Sequence, residues 1–241
     1  LEIYADAPGT PGANALAKGL VDPVRNVRLD AAWSLRRTVD TNSTAGRDLL
    51  TNLRHNADQP AGAMQMGAFE LQRGNTASAL GYLQRAVSWD TNSAPLYDTL
   101  AVGLSLQGRL AEAVNALEAA CRVAPRDAAY RYRLALALNE VGRLDDARLS
   151  LEQAVKLDPR LAPAWYNLGL AYAAQRKFEA ALEALLRAES LQGNSAPIPY
   201  ARATVLLNLN RVDEARRAAL RALEIQPNHP EARALLQSLK R

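Results

Sequence analysis

Ala164-Trp165-Tyr166-Asn167-Leu168-Gly169-Leu170-Ala171-Tyr172, followed by Ala181, sets small residues among large apolar ones, and it is one copy of a pattern with a period of 34 residues. Where two helices approach closely, a repeat must supply small side chains in every copy. Reading outward from Gly169 at that period gives Gly67, Ala101, Ala135 and Ala203. A second small column is Ala79, Ala113, Ala147, Ala181 and Ala215, and a third is Ala86, Ala120, Ala154, Ala188 and Ala222. Large apolar columns keep the same register. Leu83, Leu117, Leu151 and Leu185 form one, ended by Ala219, and Leu104, Leu138, Tyr172 and Leu206 form another, with Glu70 in the first copy.

Turn residues follow the period as well. Gly74, Gly108 and Gly142 stand where the first helix of each pair must close in a left-handed residue. Asn210 tolerates that geometry, whereas Arg176 predicts mild strain or a different turn. Pro125, Pro159 and Pro227 mark the ends of second helices, because proline cannot continue the helical hydrogen-bond ladder. The expected units are 60–93, 94–127, 128–161, 162–195 and 196–229. Residues 230–241 read as one amphipathic helix, with Ala232, Leu235, Leu236 and Leu239 on its apolar side, capping the open end of the stack.

The stretch Trp165-x-x-Leu168-Gly169-x-x-Tyr172 with Ala181 resembles the tetratricopeptide repeat (TPR). That resemblance implies an all-α fold, a right-handed superhelical α-solenoid of TPR helix pairs with a C-terminal capping helix. Residues 1–59 fit it poorly: Ala45 and Leu49 fall in plausible columns, but Trp33 stands where a small residue belongs. There, Leu20-x-Asp22-Pro23, Val27-Arg28 and Ala31-Ala32-x-x-Leu35 resemble the second helix of a HEAT-type repeat, the first helix being the segment from Ala13 to Leu20. The opening run Ala7-Pro8-Gly9-Thr10-Pro11-Gly12 reads as turn-forming, and with a chain starting at Leu1 it leads us to expect a longer parent protein.

Composition narrows the chemistry. In 241 residues there is a single cysteine, Cys121, which leaves no internal disulfide and reads as a packing residue. No run of 18 apolar residues occurs, so no membrane span is expected. The only histidines are His55 and His229, each near a helix boundary where a polar surface residue is expected. No phosphate-binding glycine loop and no nucleophile elbow is found. Asp145-Asp146 and Asp213-Glu214 stand at starts of second helices, where negative charge complements the helix dipole. We therefore expect no catalytic residue, no cofactor and no metal. The 29 basic residues against 25 acidic give a net charge of +4. The basic groups Arg211, Arg216, Arg217, Arg221 and Arg25, Arg28, Arg36, Arg37 read as solvated faces rather than a nucleic-acid surface.

In the TPR family the first helices line a concave groove that receives a peptide, mainly through the second, fifth, ninth and twelfth residues of each unit. Carried onto this chain, the resemblance implies groove residues Asp98, Val102, Tyr132, Leu136, Asn139, Tyr166, Leu170, Tyr200 and Thr204. Three tyrosines, one per unit, edge an apolar floor. The carboxylate clamp of chaperone-binding TPR proteins is not expected, because its lysine and asparagine positions hold Met64, Asp98 or tyrosine and Ala68, Val102 or Leu136. The expected function is a non-catalytic scaffold binding an unidentified peptide or protein partner. The alternatives are the C-terminal accessory helical region of a larger multidomain enzyme, such as a multihaem cytochrome, and a homo-oligomerisation module. Self-association through an uncapped N-terminal end is a further expectation.

Overall fold

The computed structural model describes residues 10–239, and among them the chain forms fourteen helices and no strand. The chain is an all-α solenoid of antiparallel helix pairs. It divides into two compact units, the first ending at Val123 and the second beginning at Ala124.

The first unit holds α1 (Pro11–Gly19), α2 (Arg25–Ser34), α3 (Thr44–Asn56), α4 (Pro60–Gln72), α5 (Thr76–Trp89), α6 (Ala94–Leu106) and α7 (Leu110–Val123). Each helix packs on the next in chain order, most extensively α4 on α5 and α6 on α7. Helix α1 begins earlier than its turn-like sequence suggests. Thr10 accepts a hydrogen bond from the Ala13 amide, and Pro11 takes the first helical position, where its missing N–H costs nothing. The turn reading therefore fails at Pro11-Gly12, and its first part, Ala7-Pro8-Gly9, lies outside the described residues. Trp33 is half-buried against a core of Ala32, Val39, Ala45, Leu49, Leu53, Met66 and Phe69. The basic group here is structural: Arg28 donates to Asp48 of α3 at 2.9 Å and to the carbonyls of Asp22 and Pro23, while the Arg36 guanidinium lies 4.7 Å from the Trp33 ring centre.

The second unit holds α8 (Ala128–Glu140), α9 (Leu144–Leu157), α10 (Ala162–Ala174), α11 (Phe178–Leu191), α12 (Pro197–Asn208), α13 (Val212–Ile225) and α14 (Pro230–Ser238). The pairs α8/α9, α10/α11 and α12/α13 stack through α9 on α10 and α11 on α12, and α14 covers α13. Proline stands in the first turn of α10, α12 and α14.

The small columns lie in the seams. Ala79, Ala113, Ala181 and Ala215 are fully buried, as are Ala86, Ala120, Ala154, Ala188 and Ala222. Gly67 and Gly169 leave room that a side chain would not find: a Cβ on either would stand 2.6 Å from Cγ of Leu83 or Leu185. Burying such leucines contributes about 2 kcal/mol apiece.

Every first helix from α4 to α12 ends the same way. The amides of Asn75, Arg109, Arg143, Lys177 and Arg211 each donate at 2.9 Å to the carbonyl five residues back, closing the turn over a left-handed residue. Gly74, Gly108 and Gly142 take positive φ, and so do Asn210 at 59° and Arg176 at 58°. Arginine thus keeps the turn instead of changing it, since the closing bond and the packing of α11 hold the backbone there. Past the second helices α7, α9 and α13, Pro125, Pro159 and Pro227 follow the last helical residue by two positions.

Candidate binding groove

On the second unit, Ala135, Leu136 and Asn139 of α8, Leu144, Ala147 and Leu151 of α9, and Asn167, Leu170, Ala171, Ala174 and Gln175 of α10 line a cleft of about 330 Å³. Helical spacing explains the arrangement. Leu136 and Asn139 are three apart on α8, and Asn167, Leu170, Ala171 and Ala174 are three or four apart on α10, so one face of each helix borders the opening. Ala135 and Ala147 are small because α8 and α9 cross there, and their size leaves the space that the leucines flank. Leu136 and Leu170 are each 39% exposed and Leu144 is 54% exposed, so the cleft presents apolar surface to solvent. All eleven lining residues are uncharged.

Of the expected groove residues, the structure brings Leu136, Asn139 and Leu170 together around this cleft. The three tyrosines stand apart from one another in role. Tyr132 packs half-buried on the core of Leu151, Ala154 and Leu168, and its hydroxyl accepts a 3.1 Å hydrogen bond from the side-chain amide of Asn167. Tyr166 packs half-buried on the Ala181, Leu185, Ala201 and Val205 cluster. Tyr200 lies with its ring centre 5.1 Å from that of His229. Thr204 donates its hydroxyl to the Ala201 carbonyl at 2.7 Å. Asp98 and Val102 are on α6 of the first unit, Asp98 half-buried and Val102 exposed. Burial pushes the phenols of Tyr132 and Tyr166 above the ordinary tyrosine value, and the bond from Asn167 draws Tyr132 partly back.

His229 departs from the sequence expectation of a surface residue. It is only 8% exposed, because its imidazole caps α14 by accepting from the Ala232 amide and at the same time covers Tyr200. His55 is exposed in the last turn of α3.

The cleft walls are tied by polar groups that the first-helix register did not single out. Tyr172 of α10 donates to Glu152 of α9 at 2.8 Å, the oxygen that Arg148 also pairs, and the Gln175 amide donates to Asp145 at 2.8 Å. Burial, and then the bond to the Glu152 carboxylate, push the Tyr172 phenol up. A signal for Leu144 was present: Leu110, Leu144, Phe178 and Val212 form an apolar column at the starts of second helices. The basic group near the C-terminal end is internally engaged, with Arg211 on Glu214 at 2.6 Å, Arg221 on Glu224 at 2.9 Å and Arg216 on the Leu239 carbonyl at 3.0 Å. Among the described residues no three His, Cys, Asp or Glu side chains converge as a metal-binding set, and no helix is long and apolar enough to cross a membrane.

Comparison with family models matches a TPR repeat at residues 136–176 and a tetratricopeptide repeat at residues 162–195 and again at 198–229. Residues 136–195 and 198–229 are tetratricopeptide repeats. Solved TPR structures resemble it in fold. YrrB, described as a TPR protein with an unusual peptide-binding site, is 18% identical over 78% of this chain and 97% of its own, with a TM-score of 0.67. A MamA from Desulfovibrio magneticus RS-1 is 21% identical over 71% of this chain and 97% of its own, with a TM-score of 0.64. A thermophilic TPR protein of Thermus thermophilus is 23% identical over 75% of this chain and 98% of its own, with a TM-score of 0.52. At such identities the likeness is one of fold. No curated protein matches the sequence. TPR stacks are scaffolds for protein–protein interaction, and this chain carries that scaffold.

Proposed function

We propose that this chain is a non-catalytic scaffold that binds a peptide segment of a partner protein on the second unit, along the faces of α8, α10 and α12 that carry Tyr132, Leu136, Asn139, Tyr166, Leu170, Tyr200 and Thr204. The observation that carries this reading is the 330 Å³ cleft in which exposed Leu136 and Leu170 face solvent beside the amides of Asn139, Asn167 and Gln175. Apolar walls with a few fixed polar groups are what a small binding site requires. Its walls are already held by the Tyr172–Glu152, Gln175–Asp145 and Asn167–Tyr132 bonds, so little ordering cost is left to binding.

Selection from a displayed peptide library on the purified chain tests it. Selected peptides should lose at least about tenfold in affinity for the Leu136→Glu, Leu170→Glu double variant, because a buried carboxylate without a partner costs more than one hydrogen bond. The helical circular dichroism of that variant should be unchanged, since both side chains face solvent. Equal binding by the two proteins removes the groove reading.

A second reading, self-association, is favoured by one observation on the first unit: Val21, Val24 and Val27 are 81%, 56% and 42% exposed within seven residues. Sedimentation equilibrium tests it, with a dimer that Val24→Asp, Val27→Asp dissociates as the supporting result and a monomer at all concentrations as the opposing one.

A further inference from the structure

We infer that Asn139 and Ala171 are the specificity-determining residues of the cleft between α8 and α10, and that its occupant is one large apolar side chain of the bound peptide, of leucine or phenylalanine size. The inference rests on the proposed peptide-binding reading and adds what the anchor is and which residues choose it.

It comes from what the same register positions hold where the seam between first helices is closed. Seven of the eleven residues that line the cleft have their counterparts, 34 residues on, in one packed cluster between α10 and α12. Three of those counterparts are larger or more apolar: Phe178 stands for Leu144, Val205 for Ala171 and Leu209 for Gln175. Val205 is buried, so its isopropyl group takes up the depth that the Ala171 methyl leaves open.

Between α4 and α6 the first unit closes its seam by the opposite allotment. Gly103 stands two periods before Ala171, and Leu71 two periods before Asn139. A Cβ on Gly103 would lie 3.4 Å from Leu71 Cδ2, so the leucine reaches across onto the glycine. In each closed seam one side is large and apolar where the other is small: Leu71 over Gly103, and Val205 beside Ala173.

Asn139 with Ala171 is a pair in which neither side is large and apolar. An exposed asparagine does not supply the missing volume, because burying its amide without a partner costs more than its few carbon atoms return. The space therefore stays open to a group from outside the chain. In both closed seams the group that fills it is an aliphatic side chain of the protein itself, and close packing favours a like group here. A charged side chain would shed its hydration against a lining that holds no counter-charge.

The test uses the full chain labelled with ¹⁵N, with two small probes and two variants followed by ¹H–¹⁵N chemical shifts. N-acetyl-L-phenylalanine amide should shift Leu136, Leu170 and Ala171 with a millimolar dissociation constant. N-acetyl-L-alanine amide should bind about tenfold or more weakly, because it lacks the apolar group. Ala171→Val and Asn139→Leu each copy a residue that a closed seam already holds, so both should keep the helical circular dichroism of the wild type. Each should weaken the phenylalanine probe by about fivefold or more, since the protein's own side chain then occupies the space. Where one variant loses its helical signal, the other decides. A folded variant that binds the phenylalanine probe within about twofold of wild type, or two probes that bind equally, would overturn the inference while leaving the cleft as a site. No shift at these three residues with the phenylalanine probe would overturn the inference and the groove reading together.

Discussion

Asn167 of α10 and Tyr132 of α8 are joined by a 3.1 Å hydrogen bond that spans two consecutive repeats, so a residue of one unit fixes the ring that edges its neighbour. Removing the hydroxyl in Tyr132→Phe should lower stability by about 1 kcal/mol, the net worth of a typical internal hydrogen bond. Urea unfolding followed by circular dichroism measures it, and no change in midpoint would show that the bond adds nothing.

The half-buried phenols give the second unit an alkaline weakness. Burial raises Tyr132, Tyr166 and Tyr172 above their ordinary value, so the folded protein favours the neutral form and the unfolded chain ionises first as pH rises. Their stabilising contribution is complete below about pH 10, the unfolded value, and is lost as pH climbs through the folded values. In Tyr132→Phe, Tyr166→Phe the fall in urea midpoint between about pH 9 and about pH 11 should be smaller than in wild type. An equal fall in both proteins would contradict the assignment.

Arg176 occupies a left-handed turn position that glycine fills in three earlier repeats. A non-glycine residue there costs roughly 1–2 kcal/mol, partly offset by the greater unfolded-state entropy of glycine. Arg176→Gly should therefore stabilise by about 0.5–1 kcal/mol, and Gly142→Arg should destabilise by a comparable amount. Denaturant midpoints of the pair provide the check.

Glycines in the first unit separate into two kinds. A Cβ on Gly62 would stand 1.8 Å from the Asn56 carbonyl oxygen, whereas one on Gly81 meets nothing within 4 Å. Gly62→Ala should cost several kcal/mol through forced backbone movement, and Gly81→Ala, at an exposed position of α5, should gain up to about 1 kcal/mol. Thermal unfolding of the two single variants should move in opposite directions.

His229 both caps α14 and covers the Tyr200 ring, two roles for one buried side chain. His229→Ala should cost about 1–2 kcal/mol from the lost cap and the lost ring contact. Hydrogen exchange should accelerate in α14 more than in α10, whereas exposed His55→Ala should be neutral within about 0.5 kcal/mol.

The repeat was readable because packing recurs: a seam that admits only alanine or glycine must do so in each copy, and Gly169, Ala181 and Ala188 revealed their counterparts by position alone. Left-handed turns were readable for a similar reason, even where arginine replaces glycine. The site was less so. Leu136, Asn139 and Leu170 were found from the first-helix register, but Leu144 and Leu151 contribute from a second helix that the register assigns to the other face. Asn167 and Gln175 act through partners 35 and 30 residues away, a pairing that no local spacing encodes. His229 was misjudged because burial of a cap depends on Tyr200, which lies on a different helix.

The crystal structure of the full chain with a library-selected peptide tests the central claim most directly. The account predicts the peptide's apolar anchor seated between Leu136 and Leu170. A peptide bound elsewhere on the molecule, with these two side chains as solvated as they are without it, would contradict the account.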